Sequence, residues 1–280
     1  VPSDLTLSIA REAAEGLAGD GAEAVVLVGS HARGDAGPES DVDLLAVGPQ
    51  AFSFRLERRG GSLVSVSSRQ LGSYRRELAD PGSVCAAVPG WREAVPVHDP
   101  LGIAASLIGE AKAWTWKPLA ERCDGWVAEE ITSFAEEVHK LVSALRRGNR
   151  TAAAVQRSLL ATRLAPILAV HRRILYGSEN ALWDTVGSEM GEEWRRAQSS
   201  SLGLDGEPFE QTCRAALELY GLAVDDAGYL FDERQKRVVS HALELAGLAD
   251  DWKQIAENSS RRAACIRDEP GSSKGFEVFS

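Results

Sequence analysis

Two short runs of this sequence hold side chains that could manage a polyphosphate. The first is Gly29-Ser30-His31-Ala32-Arg33-Gly34 and the second is Ser40-Asp41-Val42-Asp43-Leu44. Glycine permits a tight turn and close approach of the backbone to an anion. Successive turn amides form a nest for phosphate oxygens. Ser30 adds a hydroxyl, and Arg33 a planar fork matched to phosphate. Asp41 and Asp43 stand two apart, so on a strand they share one face, with attachment points about 7 Å apart. Such a pair can share magnesium, which takes few protein carboxylates and fills its shell with phosphate and water. Either run alone is a weak signal, and the two in this order are a strong one. The chemistry they suit is capture of a triphosphate with its magnesium.

The elements around them must hold these groups in place. Ala24 to Val28 is short, rich in valine and unbroken by polar residues, as expected of a strand buried on both faces. Val42 and Leu44 alternate with the aspartates and face a core. Asp4 to Gly19 reads as a helix, with Leu5, Ile9, Ala13 and Leu17 at helical spacing. Phe52 to Glu57 and Leu63 to Ser67 read as a hairpin joined through Arg58-Arg59-Gly60-Gly61. Arg69 to Ala79 reads as a helix stopped by Asp80-Pro81-Gly82, and Ala94 to His98 as a last strand. Helices then follow over Leu101 to Lys117, Asp124 to Arg147, Thr151 to Tyr176, Glu207 to Leu222 and Phe231 to Leu248, with a kink expected at Pro166. The fold class is α+β: a small mixed-sheet domain over 1–118, an all-α bundle over 119–255 and a flexible tail over 256–280.

The formal net charge of −10 argues against a nucleic-acid backbone as partner and suits a cationic one. Cys85, Cys123, Cys213 and Cys265 form no CxxC pair, which fits reduced thiols in a cytoplasmic protein. No signal peptide is evident. The most apolar region, Leu159 to Tyr176, carries Arg163, Arg172 and Arg173, so no membrane span is expected.

GSHARG followed by SDVDL resembles the signature of the polymerase-beta-like nucleotidyltransferases. The longer likeness, from about Val25 to about Gly177, is to the aminoglycoside (kanamycin-type) branch. Ala94 to Gly102 is similar to that branch's "PIYDxxG" strand and turn. Phe134 to Lys140, leading into Leu145-Arg146-Arg147-Gly148-Asn149, resembles the segment that opens its helical domain.

The resemblance implies magnesium-dependent transfer of a nucleoside monophosphate from ATP or another NTP to a hydroxyl of a small molecule, with release of pyrophosphate. The implied acceptor is a cationic aminoglycoside or related antibiotic, which would make the protein a resistance enzyme, and a homodimer is a further implication. Gly29, Ser30, Arg33, Ser40 and Lys140 would hold the nucleotide, and Asp41 and Asp43 the metal. Glu136, four residues before Lys140 and on the same helix face, would be the general base. Glu129 and Glu130 extend an acidic stripe that is either a site for a polyamine-like acceptor or a solvated face. His31 is either a phosphate contact or a space filler.

One departure stands out. The family's third carboxylate falls at Ser65, and Glu57 on the partner strand is a weak substitute. This keeps open a degenerate nucleotide-binding protein as an alternative, alongside an antitoxin-type transferase that modifies proteins.

Overall fold

The computed structural model describes residues 2–49 and 54–248. Cys265, the expected tail over 256–280, the end of the expected bundle over 249–255, and Phe52 at the start of the expected hairpin lie outside the described residues.

The chain runs through α1 (Asp4–Gly19), β1 (Ala24–Val28), α2 (Gly29–Arg33), β2 (Val42–Val47), β3 (Arg55–Arg59), β4 (Ser62–Arg69), α3 (Leu71–Glu77), α4 (Val84–Arg92), β5 (Val95–His98) and α5 (Ile103–Ala113). It continues through α6 (Ala120–Ser133), α7 (Ala135–Arg146), α8 (Arg150–His171), α9 (Glu179–Met190), α10 (Glu192–Leu202), α11 (Phe209–Ala227) and α12 (Glu233–Ala246). The fold is α+β, with a mixed five-stranded sheet in the order β3-β4-β2-β1-β5. No helix among the described residues is long and apolar enough to cross a membrane.

Two compact units are present. The first holds 1–123 and 169–186, and the second holds 124–168 and the described residues from 187 on. Residues 169–186 thus return to the first unit after the second has begun.

In the first unit, β1 lies between β2 and β5 and is antiparallel to both, while β2 and β4 are parallel. One face of the sheet, with Val25, Leu27, Val42, Leu44, Val64 and Val66, packs against Ile9, Ala10, Ala13 and Leu17 of α1. Ser3 caps that helix by accepting from the Thr6 N–H. Ala24 and Val26, pointing the other way, are also fully buried. The hairpin turns on Gly60 and Gly61 alone, both at positive φ, so Arg58 and Arg59 belong to β3. A two-residue turn of this kind matches the twist of its strands.

In the second unit, the single helix expected over Asp124 to Arg147 is two, α6 and α7, broken at Phe134. The hydrophobic spacing runs through the break, which is why periodicity alone hid it. α2, whose residues were expected as a turn, and α4, α9 and α10 were not anticipated. α4 carries an internal proline, Pro89, and α10 a polar sequence, so neither shows a plain apolar stripe. Pro166 lies inside α8, which continues through it.

Candidate active site

The site forms where β1 ends and β2 begins. Antiparallel pairing sets Val28 opposite Asp43, so the turn that leaves β1 lies beside the first carboxylate of β2. Gly29 opens that turn at φ +71°, and a Cβ added there would stand 2.4 Å from Asp43 Oδ2. Glycine is therefore needed twice, for its backbone angle and for the carboxylate packed against it. Asp43 is gripped on its other oxygen as well. Ser65, its partner across β2 and β4, donates its hydroxyl to Oδ1 at 2.5 Å. Burial pushes the Asp43 carboxyl above its ordinary value. The Ser65 hydrogen bond opposes that shift, and the nearby Asp41 charge adds to it.

Asp41 and Asp43 line one cavity of about 460 Å³ together with Gly29, Ser30, Arg33, Ser40, and Glu39 of the connecting loop. Ser40 closes that loop: its N–H donates to the Gly37 carbonyl at 3.1 Å, and its Oγ accepts from the Gly37 N–H at 2.9 Å. The Arg33 guanidinium is fixed by Asp35 at 3.1 Å and by the Gly177 carbonyl at 2.5 Å. A guanidinium has five N–H donors, so these two bonds leave others for a ligand. His31 uses both ring nitrogens, one with Thr6 Oγ1 at 3.1 Å and one with the Ser40 carbonyl at 3.4 Å. It joins the start of α1 to the entry of β2, which is a structural role.

The other wall of the cavity comes from Gly177, Ser178 and Asn180. These residues belong to the segment that returns to the first unit. Sequence reading missed them, because nothing in Gly177-Ser178-Glu179-Asn180 carries chemistry by type or spacing. The local signal was only a break between helices, where Arg173 takes a left-handed φ of 59° and Ser178 accepts from the Asn180 N–H at 3.2 Å.

The donor set fits magnesium. Asp41 and Asp43 are hard oxygen donors in one cavity, and partial burial raises the Asp43 carboxyl above its ordinary value. No group of three or more candidate metal-binding side chains occurs among the described residues. The protein would thus supply part of a shell that phosphate and water complete.

The third carboxylate is absent from β4, whose residues on the Asp43 face are Leu63, Ser65 and Ser67. Glu57 does not replace it. It pairs with Val64, on the core face of the sheet, and its carboxylate accepts from Arg59 at 2.9 Å.

The remaining sequence candidates lie in the second unit. Glu136 and Lys140 form an exposed ion pair at 2.8 Å on α7, and Glu137 is 3.5 Å from the same ammonium. The hydrogen bond from Lys140 holds the Glu136 carboxyl below its ordinary value. A general base works best with a pKa near the working pH, so the ion pair weakens Glu136 in that role. Glu129 accepts from Arg234 at 2.8 Å and from the Gln235 amide at 3.0 Å. Glu130 is partly buried, and its backbone carbonyl accepts from Ser133 Oγ at 2.8 Å. Much of the acidic stripe is therefore matched by cations of the same unit. The His139 ring lies 5.0 Å from that of His241 in the same unit.

Residues 9–71, which hold the glycine turn and the aspartate pair, match the family model described as a nucleotidyltransferase domain. The crystal structure of a nucleotidyltransferase-like protein from Exiguobacterium sibiricum is similar in fold. Its TM-score is 0.50 at 14% identity, over 89% of this chain and 91% of that one. No curated protein matches the chain. The family match supports a transferase, and the structural neighbour supports the fold.

Proposed function

We propose that the protein transfers a nucleoside monophosphate, AMP in the first instance, from a magnesium-bound triphosphate to a hydroxyl of a small molecule. The observation that carries this reading is the interlock of Gly29 with Asp43, in one cavity with Asp41 and Arg33. The Gly29–Ser30 turn and Arg33 hold the β- and γ-phosphates, and Ser40 fixes the loop beneath them. Asp41 and Asp43 hold magnesium, which when bound offsets charge on the transferring phosphoryl group. The acceptor oxygen bonds to the α-phosphorus, the bond to the bridging oxygen breaks, and pyrophosphate leaves. Catalysis rests on positioning and charge.

Lys140 as a phosphate contact and Glu136 as the base are roles that the family resemblance implies. So are an aminoglycoside acceptor held at Glu129 and Glu130, a part in antibiotic resistance, and a cytoplasmic homodimer. Glu39, in the cavity wall, is a second carboxylate to weigh as base. Comparing Glu39→Gln with Glu136→Gln identifies the base by which variant loses turnover while acceptor binding is kept.

One observation favours a second reading, nucleotide binding without transfer: a serine stands where a third carboxylate would be. Pyrophosphate release from ATP and magnesium with a panel of hydroxylated acceptors, aminoglycosides included, separates the two. Asp43→Asn is expected to lower turnover by about a hundredfold or more, with an unchanged circular dichroism spectrum. Unchanged turnover would contradict the proposal. ATP binding with no release from any acceptor would favour the second reading.

A further inference from the structure

The hairpin of β3 and β4 carries large apolar side chains in water: Phe54 is 56%, Leu56 53% and Leu63 50% exposed. Residues directly opposed across a ladder share a face. Leu56 is opposite Ser65, and Ser65 is opposite Asp43. Leu63, two residues before Ser65, lies on that same face, and alternation carries the row back to Phe54. With strands about 4.8 Å apart, Leu56 stands about 10 Å across the sheet from Asp43. That is the span of a small molecule.

The charge on this face is also informative. Arg58 is opposite Leu63, and Arg69, which closes β4 on the same side, is ion-paired with Glu77 of α3. No carboxylate of either strand faces this way, because Glu57 points to the core face and is bound by Arg59. Within the hairpin itself a polycation finds no counterion, whereas a neutral or anionic molecule does not need one. β3 is also the outer strand of the sheet. Outer strands are ordinarily blunted with charge rather than furnished with leucine, and an exposed apolar cluster of this kind marks a binding surface.

We propose that Leu56, Leu63 and Phe54 form the platform for the acceptor. The acceptor is then a flat, largely apolar molecule, neutral or anionic, that presents its hydroxyl toward Asp43. This rests on the reading of the Asp41–Asp43 site given above. The acceptor oxygen forms the new bond to the α-phosphorus, pyrophosphate departs with the bridging oxygen, and the hydroxyl proton passes to the general base that the Glu39→Gln and Glu136→Gln comparison identifies.

The test uses the full chain with 8-anilinonaphthalene-1-sulfonate, an apolar fluorescent probe with one negative charge, and a fluorescent ATP analogue with magnesium. The probe is expected to bind the wild type. Leu56→Asp should weaken that binding about tenfold, and Leu101→Asp, at another exposed leucine, should not. ATP-analogue binding should be the same in all three proteins. Hydroxylated aromatic compounds should displace the probe and drive pyrophosphate release, and kanamycin should do neither. The proposal is overturned by probe binding that Leu56→Asp leaves unchanged. It is also overturned by kanamycin-driven release equal in wild type and variant, or by a dimer in sedimentation that Leu56→Asp dissociates, which would give the face to a second copy. Failure of the wild type to bind the ATP analogue would instead sink the nucleotidyl-transfer reading itself.

Discussion

At the scale of single residues, the site depends on how one carboxylate is held. Asp43 has Ser65 on one oxygen and the bare Cα of Gly29 against the other. Replacing Gly29 with alanine forces both a left-handed backbone angle and a Cβ into the carboxylate. The angle alone costs about 1–2 kcal/mol. We expect Gly29→Ala to lower the melting temperature by several degrees and to reduce affinity for magnesium more than Ser30→Ala does. Thermal denaturation and calorimetric titration with a non-hydrolysable triphosphate check this. The protonation of Asp43 gives a second expectation. Burial raises its folded pKa above the unfolded value of 3.8, so its contribution to stability is full at pH below that value. The contribution is lost as the pH rises through the folded pKa. Asp43→Asn, which removes the charge and keeps an acceptor for Ser65, should therefore melt higher than the wild type at pH 7 without divalent ions. The difference should shrink toward pH 4.

At the scale of elements, the cavity is assembled from parts distant in the chain. The Arg33 side chain is only 18% exposed, and its bond to the Gly177 carbonyl joins α2 to the segment between α8 and α9. Gly177 lies close against it, since an added Cβ would meet Arg33 Cδ at 3.3 Å. Arg33→Lys keeps the charge but loses the planar fork, and so cannot satisfy Asp35, Gly177 and a phosphate together. We expect it to raise the KM for the triphosphate about tenfold, with a smaller effect on kcat. Asn180→Ala, which strips an amide from the same wall, should also act on the triphosphate KM. Steady-state kinetics with saturating acceptor reads both. Equal effects on kcat alone would remove this wall from nucleotide binding.

At the scale of the molecule, the acidic chain holds its site carboxylates against one another until a cation arrives. Ligand bound only by the folded state stabilises it by about 2.7 kcal/mol at a hundredfold excess over Kd, which for a domain of this size is a rise of about 5 °C or more. Magnesium with a non-hydrolysable triphosphate should give such a shift, and adding a chelator should reverse it. The sequence by itself located the residues of the proposed nucleotide site. Gly29, Ser30, Asp41 and Asp43 are close in the chain, and alternation along a strand dictates that the aspartates share a face. The strands were legible as well, β1 from an unbroken apolar run and β2 from alternation. Three matters were settled only by tertiary structure, because each depends on which strand or segment comes alongside another. Register put Ser65 against Asp43 and turned Glu57 to the far face. The return of residues 169–186 brought Asn180 to the cavity. Pairing across the hairpin set Leu56 in line with the aspartate. Chemistry written within one short stretch of chain can be read from spacing, whereas chemistry shared across the chain needs the partners that packing chooses.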